Sequence, residues 1–442
     1  MGLLASMKRW TYASVAREIS RITRYSDRVV QLDPLPGDTG ILRDRIQAPT
    51  TRVLARAELG SLGSRDAGER AVFLFNGNFN ASTDIQGLLE DIRPHLRRSD
   101  RVAVVLYNAY LSWLYRTADR LGLRNGPACT TFVTRTDLQQ LARLSGFELV
   151  RLRPVVFLPW HFFGIGTIVN ALMPAVPGLR WLSLTAVAVL RPVVEGTTPR
   201  PSISVVIPAR NERGNIEHAL RRLPALGTET EVIFVEGHST DGTWEEIQRV
   251  QSLWDDRDHL RVRAFKQTGR GKADAVRLGF SHATGDLLTI LDADLTMPPE
   301  LLPRFFEAYC RGLGDFVNGT RLVYPMEGEA MRFLNRLGNI FFAKTVSWVL
   351  DVPLADTLCG TKLLARRDYG RFIAWRTDFG DFDPFGDFEL LFPAAVLSLG
   401  MIDIPVAYRS RTYGATNIRR FRDGFTLLRM VLTGLIRVRL GR

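Results

Sequence analysis

Cysteine is scarce. Only Cys129, Cys310 and Cys359 occur in 442 residues, and no two of them stand in a CxxC pattern. That argues against a disulfide scaffold and a thiolate zinc site, and it makes a reducing cytoplasm the expected setting. Long apolar runs are lacking too. Pro154 to Leu179 carries no formal charge, but Pro159, Pro174 and Pro177 with Gly164, Gly166 and Gly178 cut it into pieces. Each piece falls short of the roughly 20 residues that cross a bilayer. The segment is expected to be buried core, with a place in a membrane surface as the alternative. Lys8 and Arg9 have no long apolar core behind them, so a secretory signal is not expected. Acid is in deficit: 46 Asp and Glu face 58 Lys and Arg, a formal net charge of +12. Such a chain suits a polyanionic partner, whether nucleic acid, anionic membrane or phosphorylated substrate. No interleaved aromatic and basic motif appears, so nucleic acid is not expected.

Apolar residue is ample, at 46%, enough for two ordinary domains. In the first half, Val29 to Leu32 reads as a strand, followed by Asp33-Pro34-Leu35-Pro36-Gly37. Val72 to Phe75 is a second strand ending in Asn76-Gly77-Asn78. Asp84 to Leu96 has a helical pattern, with Ile85, Leu88, Leu89 and Ile92 on one face. Val102 to Leu106 runs as a strand into Tyr107-Asn108. Thr136 to Ser145 reads as a helix and Phe147 to Leu152 as a strand. This alternation predicts a parallel or mixed α/β sheet.

This half, over roughly Val29 to Pro192, resembles the back portion of class I S-adenosylmethionine-dependent methyltransferases. The features are the strand ending at Asn76, the strand to Tyr107-Asn108, the helix start at Asp137, and Leu144 to Glu148 before a strand. That family has a glycine-rich loop after its first strand, where backbone approaches the cofactor. Here Pro34 and Pro36 stand in that loop, removing N–H donors and restricting φ. The resemblance therefore implies a degenerate, Rossmann-like domain over residues 1–192 that does not bind the cofactor. Residues 193–202, rich in Pro, Thr and Gly, read as a linker.

The second half carries the chemistry. Ile203 to Ile207 is a β-branched strand, and the loop Pro208-Ala209-Arg210-Asn211-Glu212 follows it, placed to touch a ligand beyond the strand's carboxyl end. An ordinary βα turn is the plainer alternative. Val232 to Val235 ends in Glu236, where a carboxylate can accept from a base or ribose. Asp241 and Thr243 suit a helix cap. Leu260 to Phe265 leads to Gly269-Arg270-Gly271-Lys272, a plausible pyrophosphate-facing helix start. Leu287 to Leu291 is an apolar strand that ends in Asp292-Ala293-Asp294. In an extended chain residues i and i+2 point the same way, so both carboxylates can meet one hard cation. Solvated acids in a loop are the alternative for that pair taken alone.

In order, SVVIPARNE, VEGHSTDGT, GRGKADAVRLG and LLTILDADL resemble the inverting glycosyltransferases of family 2, with a GT-A fold. The likeness covers about Pro201 to Gly424 and is closest to the dolichyl- and polyprenyl-phosphate sugar transferases. It implies that Asp292 and Asp294 hold Mg²⁺ or Mn²⁺ on the donor's diphosphate. Pro208, Ala209, Arg210 and Glu212 would line the nucleotide pocket, with Glu236 beside the base or ribose and Lys272 near phosphate. Glu236-Gly237 stands where many relatives have two aspartates, which leaves UDP- and GDP-sugars both open. Thr296 stands where some relatives have a Gln ligand. Asp356 to Lys362 matches the segment bordering the acceptor, and Arg321 could reach a phosphate. Glu389, with Asp387 in reserve, aligns with the carboxylate that takes a proton from a hydroxyl acceptor. A helix N-terminus with favourable acids is the alternative.

In the tail, Arg411, then Arg409, fit the family's phosphate-gripping arginine before a mobile Gly-Ala-Thr loop. From Arg409 to Arg442 there are nine arginines and one acid, Asp423. Residues 425–442 read as a basic amphipathic helix: Arg422, Thr426, Arg429, Thr433 and Arg437 recur on one side, and Leu428, Val431, Leu435 and Val438 mark the other. It either docks on the GT-A domain of residues 203–424 or lies on an anionic membrane. The expected function is metal-dependent transfer of a sugar to a membrane-associated acceptor, polyprenyl phosphate in particular, by a peripheral protein of the inner membrane face. The rivals are a glycan hydroxyl acceptor and a non-catalytic sugar-nucleotide-binding scaffold.

Overall fold

The structure is a computed structural model. It describes residues 3–440 apart from 37, 39, 41, 47, 63–64, 67, 125, 177, 197–199, 256–259, 326–332, 381–382, 384, 412 and 414–419. The expected Gly-Ala-Thr loop, Gly37 of the first βα loop, and part of the linker lie outside the described residues. The chain divides into two compact units. One is Met1–Val194 with Val396–Ser398; the other is Glu195–Ala395 with Leu399–Arg442. Both are α/β, as the alternating elements predict.

The first unit has six strands: β1 Arg28–Leu32, β2 Thr51–Leu54, β3 Ala71–Asn76, β4 Arg101–Tyr107, β5 Phe147–Val156 and β6 Thr185–Pro192. Their order is β2-β1-β3-β4-β6-β5, with β6 antiparallel to both neighbours and the remaining pairs parallel. Side chains alternate across a strand. Phe73 and Phe75 of β3 join one core, with Ile85, Leu89 and Leu138 from helices. Val72 and Leu74 join the opposite core, with Val15, Ile19 and Ile22. Those three come from the helix Leu3–Thr23, which the sequence reading did not find. It also passed over β2, whose four residues are too few and too mixed to show a period.

The expectation of buried core at Pro154 to Leu179 fails beyond β5. Pro154, Val155 and Val156 are buried in the strand, but Phe162, Phe163, Ile165, Ile168 and Leu172 are exposed. Phe162 and Phe163 also hold positive φ, 39° and 53°. Backbone of that kind costs about 1–3 kcal/mol per bulky residue.

The second unit has seven strands: β7 Ile203–Ala209, β8 Thr230–Glu236, β9 Leu260–Lys266, β10 Leu287–Ile290, β11 Phe316–Thr320, β12 Lys362–Ala365 and β13 Met401–Pro405. Their order is β13-β11-β12-β10-β7-β8-β9. β10, β7, β8 and β9 run parallel, and β12 is antiparallel to β10 and β11. β7 and β8 are buried on both faces, which explains their near-continuous runs of Val, Ile and Phe.

The C-terminal helix Arg420–Gly434 buries Val431 as expected but not Leu428. Leu427, Met430 and Val431 are buried, whereas Phe425, Leu428, Leu432 and Ile436 form an exposed stripe beside the exposed Arg429 and Arg437. The placement of the Arg422 side chain lies outside the described residues. The helix packs on Phe333–Leu350, which exposes Leu337, Ile340 and Phe341.

Candidate active site

From β7 the chain moves outward through β8 and β9, then returns to lay β10 on the other side of β7. That reversal opens a crevice at the carboxyl ends of β7 and β10, where open α/β sheets take ligands. Pro208, Ala209, Arg210 and Glu212 come to it from β7, and Asp292 and Asp294 from β10.

The extended Asp-x-Asp expected from the sequence is corrected. The strand stops at Ile290. Asp292 to Leu295 form a turn, closed by the Leu295 N–H donating to the Asp292 carbonyl at 3.1 Å, with Leu295 at φ 53°. The charges of both carboxylates still reach the Lys272 ammonium. Asp292 Oδ1 lies 2.5 Å from Lys272 Nζ, at the start of the helix Lys272–His282. Asp294 Oδ2 accepts from Arg411 Nη2 at 2.6 Å, and its Oδ1 accepts from the Thr296 hydroxyl at 2.8 Å. Arg411 also reaches Glu212 Oε1 at 3.4 Å.

Burial works against the Lys272 ammonium, but the charges of Asp292, Asp387 and Asp294 hold its pKa above the ordinary lysine value. Burial likewise opposes charge on Asp292, and Lys272 overrides it, with help from Lys362 and Arg321, holding that carboxyl below the usual range. Glu212 is pushed up by burial against the pull of Asn215 and Arg411. Room for the central pair depends on Gly360: a Cβ there would stand 2.2 Å from Asp292 Oδ2 and 2.3 Å from Lys272 Nζ.

Around this centre the expected residues divide. Arg210 is exposed at the crevice, and Ala209 is buried with its carbonyl accepting from Gly237 N–H at 2.9 Å. Glu236 is buried at the β8 tip and accepts from Ser239 N–H at 2.5 Å, so it braces its own turn. Arg409 is exposed, and its N–H donates to the Thr296 carbonyl at 2.9 Å, tying the tail to the turn that bears Asp294. Arg321 already has an acidic partner. Its Nε and Nη2 grip the buried Asp356 at 2.7 and 3.0 Å.

Each of the two candidate proton acceptors has a basic partner. Glu389 has both oxygens engaged by Arg277, one from Nε at 2.8 Å, with Arg376 at 3.7 Å. Asp387 accepts from Lys362 Nζ at 2.5 Å and acts on Lys272, on the side of the central carboxylates. Lys362 itself went unrecognised; it is fully buried and also donates to the Cys359 carbonyl. Its one signal was its place at the end of the Asp356 to Lys362 segment.

Asp383 was missed as well, and nothing in sequence separates it from its acidic neighbours. It accepts from the N–H groups of Phe385, Phe388 and Glu389 at 2.9, 2.7 and 3.1 Å, capping the helix Phe388–Val396. Burial, then the charge of Asp387, push its carboxyl from 3.8 up to about 7. A carboxyl raised on folding lends stability below its unfolded pKa and loses it as pH climbs through the folded value. The loss runs from about pH 4 to about pH 7 and amounts to at most about 4 kcal/mol. Melting wild type and Asp383→Asn across that window is expected to show the wild type falling relative to the variant as pH rises.

Residues 204–369 match the family model described as Glycosyl transferase family 2. That stretch is a family 2 glycosyltransferase domain. The chain is 36% identical over 138 residues to the dolichol-phosphate mannosyltransferase of Pyrococcus furiosus, covering 30% of this chain and 37% of that protein. It is 38% identical over 126 residues to the Saccharomyces cerevisiae dolichol-phosphate mannosyltransferase, covering 27% of this chain and 44% of that protein. The chain thus spans less than half the length of these relatives. Glucosyl-3-phosphoglycerate synthase from Mycobacterium tuberculosis, solved with Mn²⁺ and UDP, is similar at 18% identity and TM-score 0.38, over 55% of this chain and 80% of that one. A mannosyltransferase from Pyrobaculum calidifontis with GDP-Man and Mn²⁺ gives 20% and 0.34, over 53% and 62%. Superpositions that loose add nothing to the sheet order already described.

Proposed function

We propose that the second unit transfers a sugar, with inversion, from a UDP- or GDP-sugar to polyprenyl phosphate at the inner face of a membrane, aided by Mg²⁺ or Mn²⁺. The carrying observation is the cluster of Asp292, Asp294, Lys272 and Arg411 at the topological switch point. Among the described residues no group of three metal-ligating side chains comes together. That fits a magnesium-type ion, which takes one or two carboxylates and completes its shell with substrate phosphate. Gly360 leaves room beside the Asp292 carboxylate that a Cβ would fill. Asp292 and Asp294 would hold the ion, whose chemistry is to stabilise charge developing on the departing diphosphate.

The chain's own residues do the rest. Lys272 and Arg411 are cations already facing the carboxylates, positioned to turn to phosphate oxygens. Arg210 and Glu212 border the nucleotide side of the crevice. A phosphate acceptor is anionic and needs no base, which suits a site where Asp387 is committed to Lys362. The membrane side is the helix pair 333–350 and 420–434. Its stripe of Phe425, Leu428 and Leu432, flanked by Arg429 and followed by the exposed Ile436 just past the helix, suits a helix lying in an anionic surface. Among the described residues no helix is long and apolar enough to cross a membrane. The first unit we read as a methyltransferase-like domain that does not bind its cofactor. Supporting this, Asp33 at the β1 tip is spent on Arg56, and Asp38 accepts from Gln31 at 2.6 Å and Asn76 at 3.1 Å.

The test is transfer by the purified chain from labelled UDP- and GDP-sugars to a short polyprenyl phosphate, with Mn²⁺ or Mg²⁺ and a chelator control. Metal-dependent product in the lipid phase supports the reading. Donor hydrolysis without lipid product moves the acceptor to a hydroxyl, and donor binding without turnover makes the unit a scaffold. Gly360→Ala is expected to crowd the Asp292–Lys272 pair by about 1–3 kcal/mol. Donor binding by calorimetry should then weaken about tenfold or more.

A further inference from the structure

The first unit carries an apolar apex that the transfer chemistry does not use. β4 and β5 end, and β6 begins, at one end of its sheet, because Tyr107 and Val156 both stand opposite Thr185. The segments leaving that end expose Tyr110, Trp113, Phe162, Phe163, Ile168 and Trp181. The turn Ala109–Leu111 lies against the turn Arg180–Leu182, and Asn108 Nδ2 donates to the Trp181 carbonyl at 2.7 Å. Single exposed apolar residues are ordinary; large ones gathered on neighbouring short segments mark an interaction surface.

The outward aim is built into the backbone. In the helix Ile165–Leu172, Gly166 and Asn170 face inward. A Cβ at 166 would meet the Trp160 carbonyl at 1.8 Å. The Asn170 side chain accepts from the N–H groups of Phe157 and Leu158 at 2.8 and 2.9 Å and donates to the Leu158 carbonyl at 2.9 Å. Pinned that way, the helix turns Ile165, Ile168 and Leu172 to solvent. Just ahead, left-handed backbone at Phe162 and Phe163 leaves the Phe163 ring wholly exposed. A chain selected only for folding would collapse these side chains, and strain held at such a place points to a use.

Charge identifies the partner. No acid occurs between Leu149 and Val194. Arg116 and Arg120 are exposed on the helix Ser112–Arg120 that bears Trp113, and Arg180 adjoins Trp181. Aromatic and aliphatic tips flanked by arginine suit the interfacial layer of an anionic bilayer, with rings at headgroup depth and guanidinium groups on lipid phosphates. We propose that this apex, Phe162 to Leu172 with Trp113 and Trp181, dips into an anionic lipid surface. The proposal goes beyond the reading above, which puts only the second unit's helices at a membrane, and it needs no turnover.

The experiment is flotation of the full chain with vesicles of phosphatidylcholine alone or mixed with phosphatidylglycerol. The paired change Phe163→Glu with Ile168→Glu, both on exposed positions, is expected to lower binding to the mixed vesicles about tenfold or more. Leu428→Glu with Leu432→Glu tests the second unit in parallel. As an independent readout, Phe163→Cys can carry an environment-sensitive fluorophore, because Cys129, Cys310 and Cys359 are all buried. Its emission should shift to the blue with anionic vesicles. Unchanged flotation together with no spectral shift overturns the proposal. So does self-association in solution that the Glu pair abolishes, which would assign the surface to a second copy. A chain that floats through Phe163 yet makes no sugar product overturns the catalytic reading alone.

Discussion

Asp294→Asn is expected to lower sugar transfer by about a thousandfold or more, near 4 kcal/mol of lost transition-state stabilisation. The substitution keeps the shape of the turn. Asn can still accept from the Thr296 hydroxyl, now 2.8 Å from Asp294 Oδ1. It removes the charge that Arg411 meets at 2.6 Å and that a divalent ion would require. Folding should suffer little, because that ion pair is partly exposed and its loss costs at most about 1 kcal/mol. The measurement is single-turnover transfer with donor and metal in excess, beside melting of both proteins. Thr296→Val, which removes only the orienting hydroxyl, should fall between variant and wild type. Transfer by Asp294→Asn within tenfold of wild type would remove this carboxylate from the chemistry.

The largest expected effect on stability lies at Asp356. Its carboxylate is fully buried and accepts from Arg321 Nε and Nη2 as well as from the N–H groups of Arg321 at 3.1 Å and Leu358 at 2.9 Å. Burial opposes its charge, and Arg321 overrides burial, so the carboxyl lies below its ordinary range. A depressed carboxyl contributes stability that disappears only as pH falls through the folded value, so this contribution is constant from pH 5 to 8. Asp356→Ala leaves a buried guanidinium without its counter-charge and is expected to cost about 3–5 kcal/mol in denaturant unfolding. Replacing both partners, Asp356→Leu with Arg321→Met, should recover much of that loss, since neither charge is then stranded. If Arg321→Met alone cut transfer severely while the chain stayed as stable as wild type, Arg321 would belong to the ligand after all.

Residue pattern alone told much about the second unit. β7, β8 and β10 were legible because strands buried on both faces need unbroken apolar runs. The residues after them were legible as ligand-facing because a parallel sheet presents its loops at the carboxyl ends. That rule groups Ala209, Arg210, Glu212, Asp292 and Asp294 at the ends of β7 and β10. Partnership was not legible. Glu389 and Arg277 stand 112 positions apart, and Arg321 and Asp356 stand 35 apart. Nothing local says that these pairs close on each other rather than on substrate. The same holds for Glu389 and Asp387, whose basic partners Arg277 and Lys362 come from distant positions.

Exposure was illegible too. An uncharged stretch such as Pro154 to Leu179 has the same composition whether it fills a core or crowns a surface, and Leu428 looks alike on either side of its helix. By itself, then, the sequence determined the α/β class and which residues stand at the strand ends, because each follows from local spacing and residue type. The tertiary structure alone decided which charges neutralise each other and which apolar faces stay uncovered, because both depend on groups brought together only when distant segments pack.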